Sequence, residues 1–135
     1  MIHYVLGFAF TEDRQKVVLI RKNRGPVELH DLLNGVGGKI EPHETTYDAM
    51  SREFAEETGV QALDWRYRGC FSGPGYSVKV FSAFSDEILK ARTVEDEEVE
   101  IVDLPQGVPQ PCPNVPLLVG LCLNPRVKRF SFEEE

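Results

Sequence analysis

The stretch that decides the fold runs from Gly38 to Val60 and reads GKIEPHETTYDAMSREFAEETGV. Thr45 stands three residues before Asp48, a spacing that resembles a capping box with Asp in the acidic position. Gly59 then supplies a stop signal. The spacing therefore predicts a helix that begins after Thr45 and ends at Gly59.

Three carboxylates share one face of this predicted helix. At 100° per residue, Glu53, Glu56 and Glu57 fall within an arc of about 100°, and Met50 and Phe54 place an apolar stripe beside them. Like charges at this spacing destabilise a bare helix by roughly 0.2–0.5 kcal/mol per pair. An isolated E-x-x-E-E pattern is typical of a solvated acidic face, whereas clustered carboxylate oxygens also suit Mg²⁺ or Mn²⁺, which bind substrate phosphates. The surrounding residues decide between these interpretations.

The whole segment matches the Nudix box, G-x₅-E-x₇-R-E-U-x-E-E-x-G-U, in which U is a bulky apolar residue. Gly38, Glu44 and Arg52 occupy the first three constrained positions of the box. Residues 53–60, EFAEETGV, match its last eight positions, E-U-x-E-E-x-G-U. Phe54 is bulkier than the aliphatic residue usual at its position. The chain thus resembles a Nudix hydrolase, similar to the MutT-like nucleoside triphosphate pyrophosphohydrolases. The resemblance implies a single domain over residues 1–135, with an α/β fold of the Nudix type: an α/β/α sandwich with a mixed β-sheet.

The resemblance also implies a cofactor and residue roles. The expected cofactor is Mg²⁺, for which Mn²⁺ could substitute, because divalent ions neutralise a polyphosphate and activate water. The implied metal ligands in the box are one backbone carbonyl and three carboxylates: Gly38, Glu53, Glu56 and Glu57. Glu44 and Arg52 are expected to form an ion pair that shapes the loop and orients these glutamates.

Members of this family often add a glutamate from a later loop, as a metal ligand or as a base. The acidic run from Glu95 to Glu100 offers Glu97 and Glu98 for this role. The sequence does not choose between them, and a wholly solvated acidic run is the alternative.

Two asparagines point to a nucleoside triphosphate substrate. Residues 34–39, NGVGGK, resemble the N-G-x-G-G-K stretch of oxidised-purine triphosphatases, in which the Asn contacts the base. Asn114, followed by Val115 and Pro116, resembles the N-x-P helix start of bacterial MutT, whose Asn also contacts the purine. Asn34 could instead be a turn residue and Asn114 a helix cap, since Asn is favoured in both places. The candidate phosphate contacts are basic: Arg21, Lys22, Arg24 and Lys39.

Other activities remain open at this point. ADP-ribose and dinucleoside polyphosphate hydrolases carry a Pro or a Tyr about fifteen residues after the box, and Pro74 and Tyr76 both lie in that window. The residues from 73 to 75 could equally form a hairpin turn. A nucleotide sensor that does not hydrolyse its ligand is less favoured, because such domains usually lose a box glutamate and none is missing here.

Composition limits the partners and the compartment. Fifteen Lys and Arg against 22 Asp and Glu give a net charge of −7, which argues against duplex nucleic acid as a partner. Three cysteines, Cys70, Cys112 and Cys122, lack the number and spacing of a disulfide framework or a zinc site, and the apolar runs are too short to span a membrane. We therefore expect a cytoplasmic monomer or homodimer that acts on a nucleotide.

Outside the box, the hydrophobic pattern predicts strands and one further helix. The predicted strands cover residues 4–10, 17–20, 60–69, 76–84 and 101–102, and the predicted helix covers residues 114–123. Residues 21–33 are expected to form a loop, and the glycines of residues 34–38 indicate backbone that approaches a partner closely. Strands beside two separated helices favour an α/β sandwich.

Overall fold

Eight strands and two helices build the fold in the computed structural model, which describes all 135 residues. The strands are β1 (Ile2–Phe10), β2 (Lys16–Arg21), β3 (Leu33–Asn34), β4 (Val36–Lys39), β5 (Arg66–Gly73), β6 (Tyr76–Phe84), β7 (Glu98–Asp103) and β8 (Phe130–Glu133). The helices are α1 (Thr46–Thr58) and α2 (Val115–Leu123). Three short 3₁₀ turns cover Val27–Leu29, Asp86–Lys90 and Leu104–Gln106.

All eight strands belong to one mixed sheet, ordered β3-β2-β1-β6-β5-β8, with β4 also paired to β1 and β7 to β2. The pairs β1·β6 and β5·β8 are parallel, and the others are antiparallel. The first half of β1 pairs with β4, whereas its last residues pair with β2. This division brings the glycine-rich β4, which leads into the box, to the middle of the sheet.

The two helices cover opposite faces of the sheet. Side chains alternate along β1, so Leu6 and Phe8 belong to the core cluster that includes Leu118 of α2, whereas Val5 belongs to the cluster that includes Phe54 of α1. The prediction of an α/β/α sandwich with a mixed sheet is therefore confirmed. Neither helix is long and apolar enough to cross a membrane.

Helix α1 begins and ends where its sequence predicts. The Thr45 hydroxyl accepts a hydrogen bond from the Asp48 backbone N–H (3.0 Å), and Gly59 ends the helix in the left-handed conformation with φ 78°. Phe54, the bulky residue of the box, is fully buried and packs edge-on against Trp65, with ring centroids 5.1 Å apart. An aromatic partner on the following segment thus explains the larger side chain at this position.

Several expected boundaries are wrong. The strand predicted over 60–69 begins only at Arg66, because Ala62 has a positive φ of 61° while Leu63 and Trp65 turn inward against α1. The strand predicted over 101–102 extends from Glu98 to Asp103. The glycine stretch lies mostly in β3 and β4, and its expected close approach to other backbone is confirmed, since a Cβ at Gly37 would overlap the Val5 carbonyl oxygen. The last strand, β8, was not predicted.

The Thr45 cap can be tested by substitution. Thr45→Ala removes the acceptor for the Asp48 N–H and is expected to lower the free energy of unfolding by about 1 kcal/mol. Thr45→Ser keeps the hydroxyl and should retain most of that stability in the same denaturant titration. Equal losses in the two variants would show that the hydroxyl does not stabilise the helix start.

Candidate active site

Arg52 ties the loop before α1 to the helix. Its Nε and Nη2 atoms donate to the two carboxylate oxygens of Glu44 at 2.7 and 2.9 Å, and Nη2 also donates to the Lys39 carbonyl (3.1 Å). The hydrogen bonds from Arg52 lower the pKa of Glu44 to about 2. The guanidinium thus closes the loop over the start of α1 in the way expected of a structural ion pair.

The same guanidinium holds two of the box glutamates. Nη1 of Arg52 donates to Glu53 Oε1 (2.9 Å) and to Glu56 Oε2 (3.3 Å). Glu53 lies against Gly38, where a Cβ atom would overlap its carboxylate, so glycine makes room for this side chain beside β4. Burial raises the pKa of Glu53, although Arg52 opposes that shift. Glu56 is half-exposed.

The third box glutamate lies in a second ion-pair cluster. Glu57 is only 7% exposed, and its Oε1 accepts a hydrogen bond from Arg24 Nη2 at 2.9 Å. The same Nη2 lies 3.3 Å from Glu97 Oε1. Glu97 also accepts from Lys22 Nζ and from the Asn23 backbone N–H. The loop after β2 therefore joins α1 to the acidic run.

Glu97 belongs to this cluster, whereas Glu98 does not. The Glu97 side chain is 1% exposed; burial pushes its pKa upward, but the Asn23 N–H and the Lys22 ammonium outweigh burial and hold the pKa below its ordinary value. Glu98 is exposed at the start of β7. The solvated-surface interpretation therefore does not hold for Glu97, and only Glu97 lies beside the box.

The chemistry of these carboxylates fits a divalent cation. Arg52 and Arg24 hold the box glutamates apart, so no three acidic side chains converge as a ready ligand set. However, Glu57 Oε2 is buried without any hydrogen-bond partner, and burial raises the pKa of the Glu57 carboxyl against the opposing effect of Arg24. A buried carboxylate oxygen without a donor is costly unless a cation or a proton satisfies it. The donor set, all oxygen, suits a hard divalent ion.

A largely apolar cleft opens beside the box. Two adjoining cavities of about 230 and 540 Å³ share part of their lining, and the smaller one reaches Gly38. The shared residues are Tyr4, Leu6, Lys22, Asn34, Phe71 and Val78. Such a cleft, apolar with a few polar groups, is typical of a small-molecule site.

Both candidate base-reading asparagines line the larger cavity. Asn34 Oδ1 accepts a hydrogen bond from the Gly35 N–H (2.8 Å), which leaves its amide N–H₂ group without a partner in the protein. Asn114 makes no side-chain capping bond to α2; instead its Nδ2 donates to Glu134. The helix-cap interpretation of Asn114 is therefore wrong, and the donor of Asn34 and the acceptor of Asn114 remain available in the cleft.

Two cleft residues were missed as site residues by the sequence analysis. Glu134, in the acidic chain end, accepts hydrogen bonds from both the Tyr76 hydroxyl and the Asn114 amide, and the contact raises the pKa of Tyr76 to about 12. Strand β8 positions Glu134 by pairing with β5. Tyr76 had been noted only for its distance from the box, and no local signal distinguishes Glu134 from Glu133 or Glu135.

Several candidate residues do not reach the cleft. Arg21 Nε donates to Glu100 Oε2 (2.7 Å), so its guanidinium joins β2 to β7. Lys39 has an exposed side chain that lies outside the cleft lining, because its β4 position directs it to solvent. Pro74 lies in the turn between β5 and β6. Among the basic candidates, the structure brings Lys22 and Arg24 to the cleft.

Comparison with known proteins identifies the class. The sequence matches the family model described as NUDIX domain over residues 1–111, and the chain therefore belongs to the Nudix family. It is an enzyme of the Nudix hydrolase class, whose members act on phosphoanhydride bonds of small nucleotide substrates and generally use a divalent metal.

Solved structures share the fold at low sequence identity. A MutT protein from Bacillus halodurans has a TM-score of 0.74 and 19% identity, covering 98% of this chain and 90% of that one. A NUDIX hydrolase from Nitrosomonas europaea has a TM-score of 0.72 and 18% identity, and the match covers 98% of this chain and 78% of that one. A structure from work on MutT of Aliivibrio salmonicida and Vibrio cholerae has a TM-score of 0.68 and 20% identity. That match covers 87% of this chain and 92% of the other. These likenesses establish a MutT-like fold.

The Glu44–Arg52 pair gives a pH-dependent stability. Because the folded-state pKa of Glu44 lies near 2, below its ordinary 4.5, its contribution is complete above about pH 4.5 and is lost as pH falls towards 2. Glu44→Gln is expected to cost about 1.5–3 kcal/mol in unfolding free energy at neutral pH, with a shallower acid dependence between pH 4.5 and 2.

Glu41→Gln is the matched control for this experiment, because Glu41 is exposed and its nearest oxygen lies 3.8 Å from Arg52 Nη1. Urea unfolding of both variants across that pH range measures the difference. If Glu41→Gln destabilised the protein as much as Glu44→Gln, the bidentate pair would not be the source of the acid dependence.

Proposed function

We propose that this enzyme hydrolyses a nucleoside triphosphate, with an oxidised purine nucleoside triphosphate as the candidate substrate, to the monophosphate and pyrophosphate in the presence of Mg²⁺. The observation that carries the proposal is the apolar cleft that runs from Asn34 and Asn114 to Gly38 of the box. A base in the wide part of this cleft directs its phosphates towards the acidic helix. We also propose that residues 1–135 act as one domain, because both core clusters share one sheet.

The residues proposed to hold the cation are the box glutamates and one neighbour in space. They are the Gly38 carbonyl, Glu53, Glu56, Glu57 and Glu97. The unpartnered Oε2 atom of Glu57 supports this set. When bound, a divalent cation would neutralise the polyphosphate and act as a Lewis acid that activates the attacking water. Arg52 and Glu44 position Glu53 and Glu56 from the loop side.

Lys22 and Arg24 are proposed to contact the substrate phosphates. Both line the cleft and both are held by Glu97, so the two cations lie at the junction of the cleft and the acidic helix. The Arg24 side chain is half-exposed and can exchange its carboxylate partners for phosphate oxygens. Of the two acidic candidates, Glu97 is proposed as the additional ligand or base because it shares Arg24 with Glu57.

The proposed base recognition uses one donor and one acceptor. Glu134 engages the Asn114 amide nitrogen and so leaves the Asn114 oxygen as an acceptor, while Asn34 offers its free N–H₂ group as a donor. A purine edge carries adjacent donors and acceptors that can satisfy both. Hydrolysis of ADP-ribose or a dinucleoside polyphosphate is the second candidate, because Tyr76 lines the same cleft.

The box glutamates are tested by neutral substitutions. Glu53→Gln, Glu56→Gln and Glu57→Gln are each expected to lower kcat at least ~100-fold, because each removes a negative ligand from the cation. Mg²⁺ or Mn²⁺ should raise the Tm of the unmodified protein, and this response should shrink in the variants. Near-normal rates for two of the three variants in saturating Mg²⁺ would contradict the metal assignment.

Glu97→Gln and Glu98→Gln form a matched pair within the same experiment. The first should lose activity and metal response, whereas the second, with an exposed side chain, should behave as the unmodified enzyme. The reverse result would place the additional carboxylate on the other residue.

The substrate assignment is tested with a nucleotide panel, product identification and variants of the cleft. Asn34→Ala and Asn114→Ala should each reduce kcat/KM for the preferred purine triphosphate by about 5- to 150-fold, the equivalent of a lost hydrogen bond worth about 1–3 kcal/mol. Asn114→Asp keeps an acceptor oxygen for the base but loses the Nδ2 donor to Glu134. Asn114→Asp also places a second carboxylate against Glu134. Hydrolysis of pyrimidine triphosphates should change little.

Glu134→Gln extends this test, with Glu133→Gln as the exposed neighbouring control. Glutamine has one acceptor oxygen where Glu134 uses two, so the variant cannot keep the bonds to both Tyr76 and the Asn114 amide in this geometry. Purine preference should fall without a change in the metal-induced Tm shift. If every variant kept full purine preference, or if ADP-ribose or a dinucleoside polyphosphate were the best substrate of the panel, the second candidate function would replace the first.

A further inference from the structure

A second cleft, here called the distal basic cleft, lies away from the box and is strongly cationic. Its volume is about 600 Å³, and no Asp or Glu is among its lining residues. Five of the thirteen lining residues are basic: Arg14, Arg66, Arg68, Lys128 and Arg129. Five positive charges around one concavity are unexpected in a chain with a net charge of −7.

The distal basic cleft and the candidate active site lie at opposite ends of the same elements. Tyr76, at the first residue of β6, lines the active-site cleft, whereas Phe84, at the last residue of β6, lines the distal one. These residues are eight positions apart, which is roughly 26 Å at ~3.3 Å per strand residue. Helix α2 runs between the same two regions, with Asn114 before its first residue and Leu123 at its last. A ligand in one cleft therefore does not occupy the other.

Arg68 forms the floor of the distal basic cleft and has no carboxylate partner. Its Nη1 donates to the Cys122 carbonyl (2.7 Å) and to Ser82 Oγ (3.2 Å), while Nη2 donates to the carbonyls of Leu121 and Val127. All four acceptors are neutral. The guanidinium thus satisfies the last carbonyls of α2, whose helix dipole offsets only part of its charge, and no carboxylate pairs with it.

The walls of the cleft are also cationic without carboxylate partners. The Arg14 guanidinium lies over the Phe84 ring (4.3 Å to the centroid), and that of Arg129 lies over the Tyr67 ring (5.4 Å). Neither arginine, nor Lys128, forms an ion pair within 4.0 Å. The aromatic faces hold these cations by cation–π attraction. The Arg14 guanidinium makes no hydrogen bond within the protein, and Arg129 uses only Nη1, which donates to the Lys128 carbonyl (2.9 Å), so the other N–H groups remain available to a ligand.

Arg66 is the one basic residue of this cleft that forms an ion pair within 4.0 Å. Its Nη2 lies 3.6 Å from Asp64 Oδ2, and both side chains are largely exposed, so water screens the pair. The remaining cations repel one another, and a multivalent anion would relieve that repulsion. Arginine forks match phosphate oxygens in geometry as well as in charge.

We propose that the distal basic cleft binds a compact polyphosphate anion, either free pyrophosphate or the phosphate chain of a nucleotide. The cleft volume is in the range of small-molecule sites, which favours a small ligand. The negative field of the whole chain opposes a long nucleic acid duplex that would extend past the cleft. This site is independent of the proposed function, because its residues take no part in the candidate active site.

The proposal is tested by calorimetric titration of the full chain with pyrophosphate at constant ionic strength and with a metal chelator present. Without a divalent cation, the acidic box has no ion to bridge it to an anion. The variants described next separate the distal basic cleft from Lys22 and Arg24 of the active-site cleft. The unmodified protein should bind one pyrophosphate. The double variant Arg14→Gln/Arg129→Gln should bind it roughly tenfold more weakly or worse.

The matched control is Lys90→Gln/Arg92→Gln, which removes the same number of positive charges from exposed residues outside this cleft. It should bind pyrophosphate as the unmodified protein does. Arg68 is left intact in both variants because its hydrogen bonds hold the end of α2. Equal Tm values for the two double variants would verify that both are folded.

A nucleoside triphosphate and the corresponding nucleoside distinguish the two sources of the anion. A triphosphate that competes with pyrophosphate, with no competition from the nucleoside, assigns the site to nucleotides as well as to free pyrophosphate. A triphosphate that fails to compete restricts it to the free anion. Absence of binding at millimolar pyrophosphate, or binding that the Arg14→Gln/Arg129→Gln change leaves intact, would overturn the proposal. The titration measures binding without turnover, so it stands whether or not the chain hydrolyses triphosphates.

Discussion

The constraint on which the structure depends is the crowding of carboxylates around α1, and arginine relieves it from two sides. Arg52 binds Glu44 with two hydrogen bonds and reaches Glu53 and Glu56 with its remaining nitrogen, while Arg24 spans Glu57 and Glu97. Like charges this close would otherwise oppose both the helix and the folding of the loop onto it. The arginines compensate most of these charges, but Glu57 Oε2 remains buried without a donor. Because of that one unpartnered oxygen the ion-pair network is not fully satisfied, and this is the observation that supports the proposed cation site.

Local interactions explain which parts of the fold the sequence predicts well. The capping bond from Asp48 to Thr45 and the left-handed Gly59 involve residues a few positions apart, so both ends of α1 follow from spacing alone. The strand predicted over 60–69 failed because burial against α1 competes there with strand pairing, and apolar residues satisfy either arrangement. Strand β8 was missed for a related reason. Its short run of Phe and polar residues becomes a strand only through pairing with β5, more than fifty residues earlier.

The candidate site likewise contains residues that local sequence predicts and residues that only distant contacts bring into place. The box carboxylates and Arg52 belong to one motif, and their positions could be predicted from a resemblance that preserves spacing. Glu97 and Glu98 could not be separated by sequence, because only contacts with residues 22–24, more than seventy positions away, show which of them is buried. Asn114 posed a similar ambiguity. Its local signal favours a helix cap, yet Glu134 draws the amide away from the helix, and no property of an acidic chain end predicts that contact.

The net charge of the chain does not show where its acidic and basic side chains lie, and their positions determine how it can bind phosphate. A total of −7 argues against a surface that holds duplex nucleic acid, but a sum carries no information about position. The fold collects carboxylates around α1 and collects unpaired arginines at the far ends of β6 and α2. The same sheet therefore separates two environments of opposite sign, an acidic one around α1 and a basic one at the distal basic cleft. Because most of the second group of charges contact neutral carbonyls and aromatic rings instead of carboxylates, this polarity follows from the tertiary structure and not from composition.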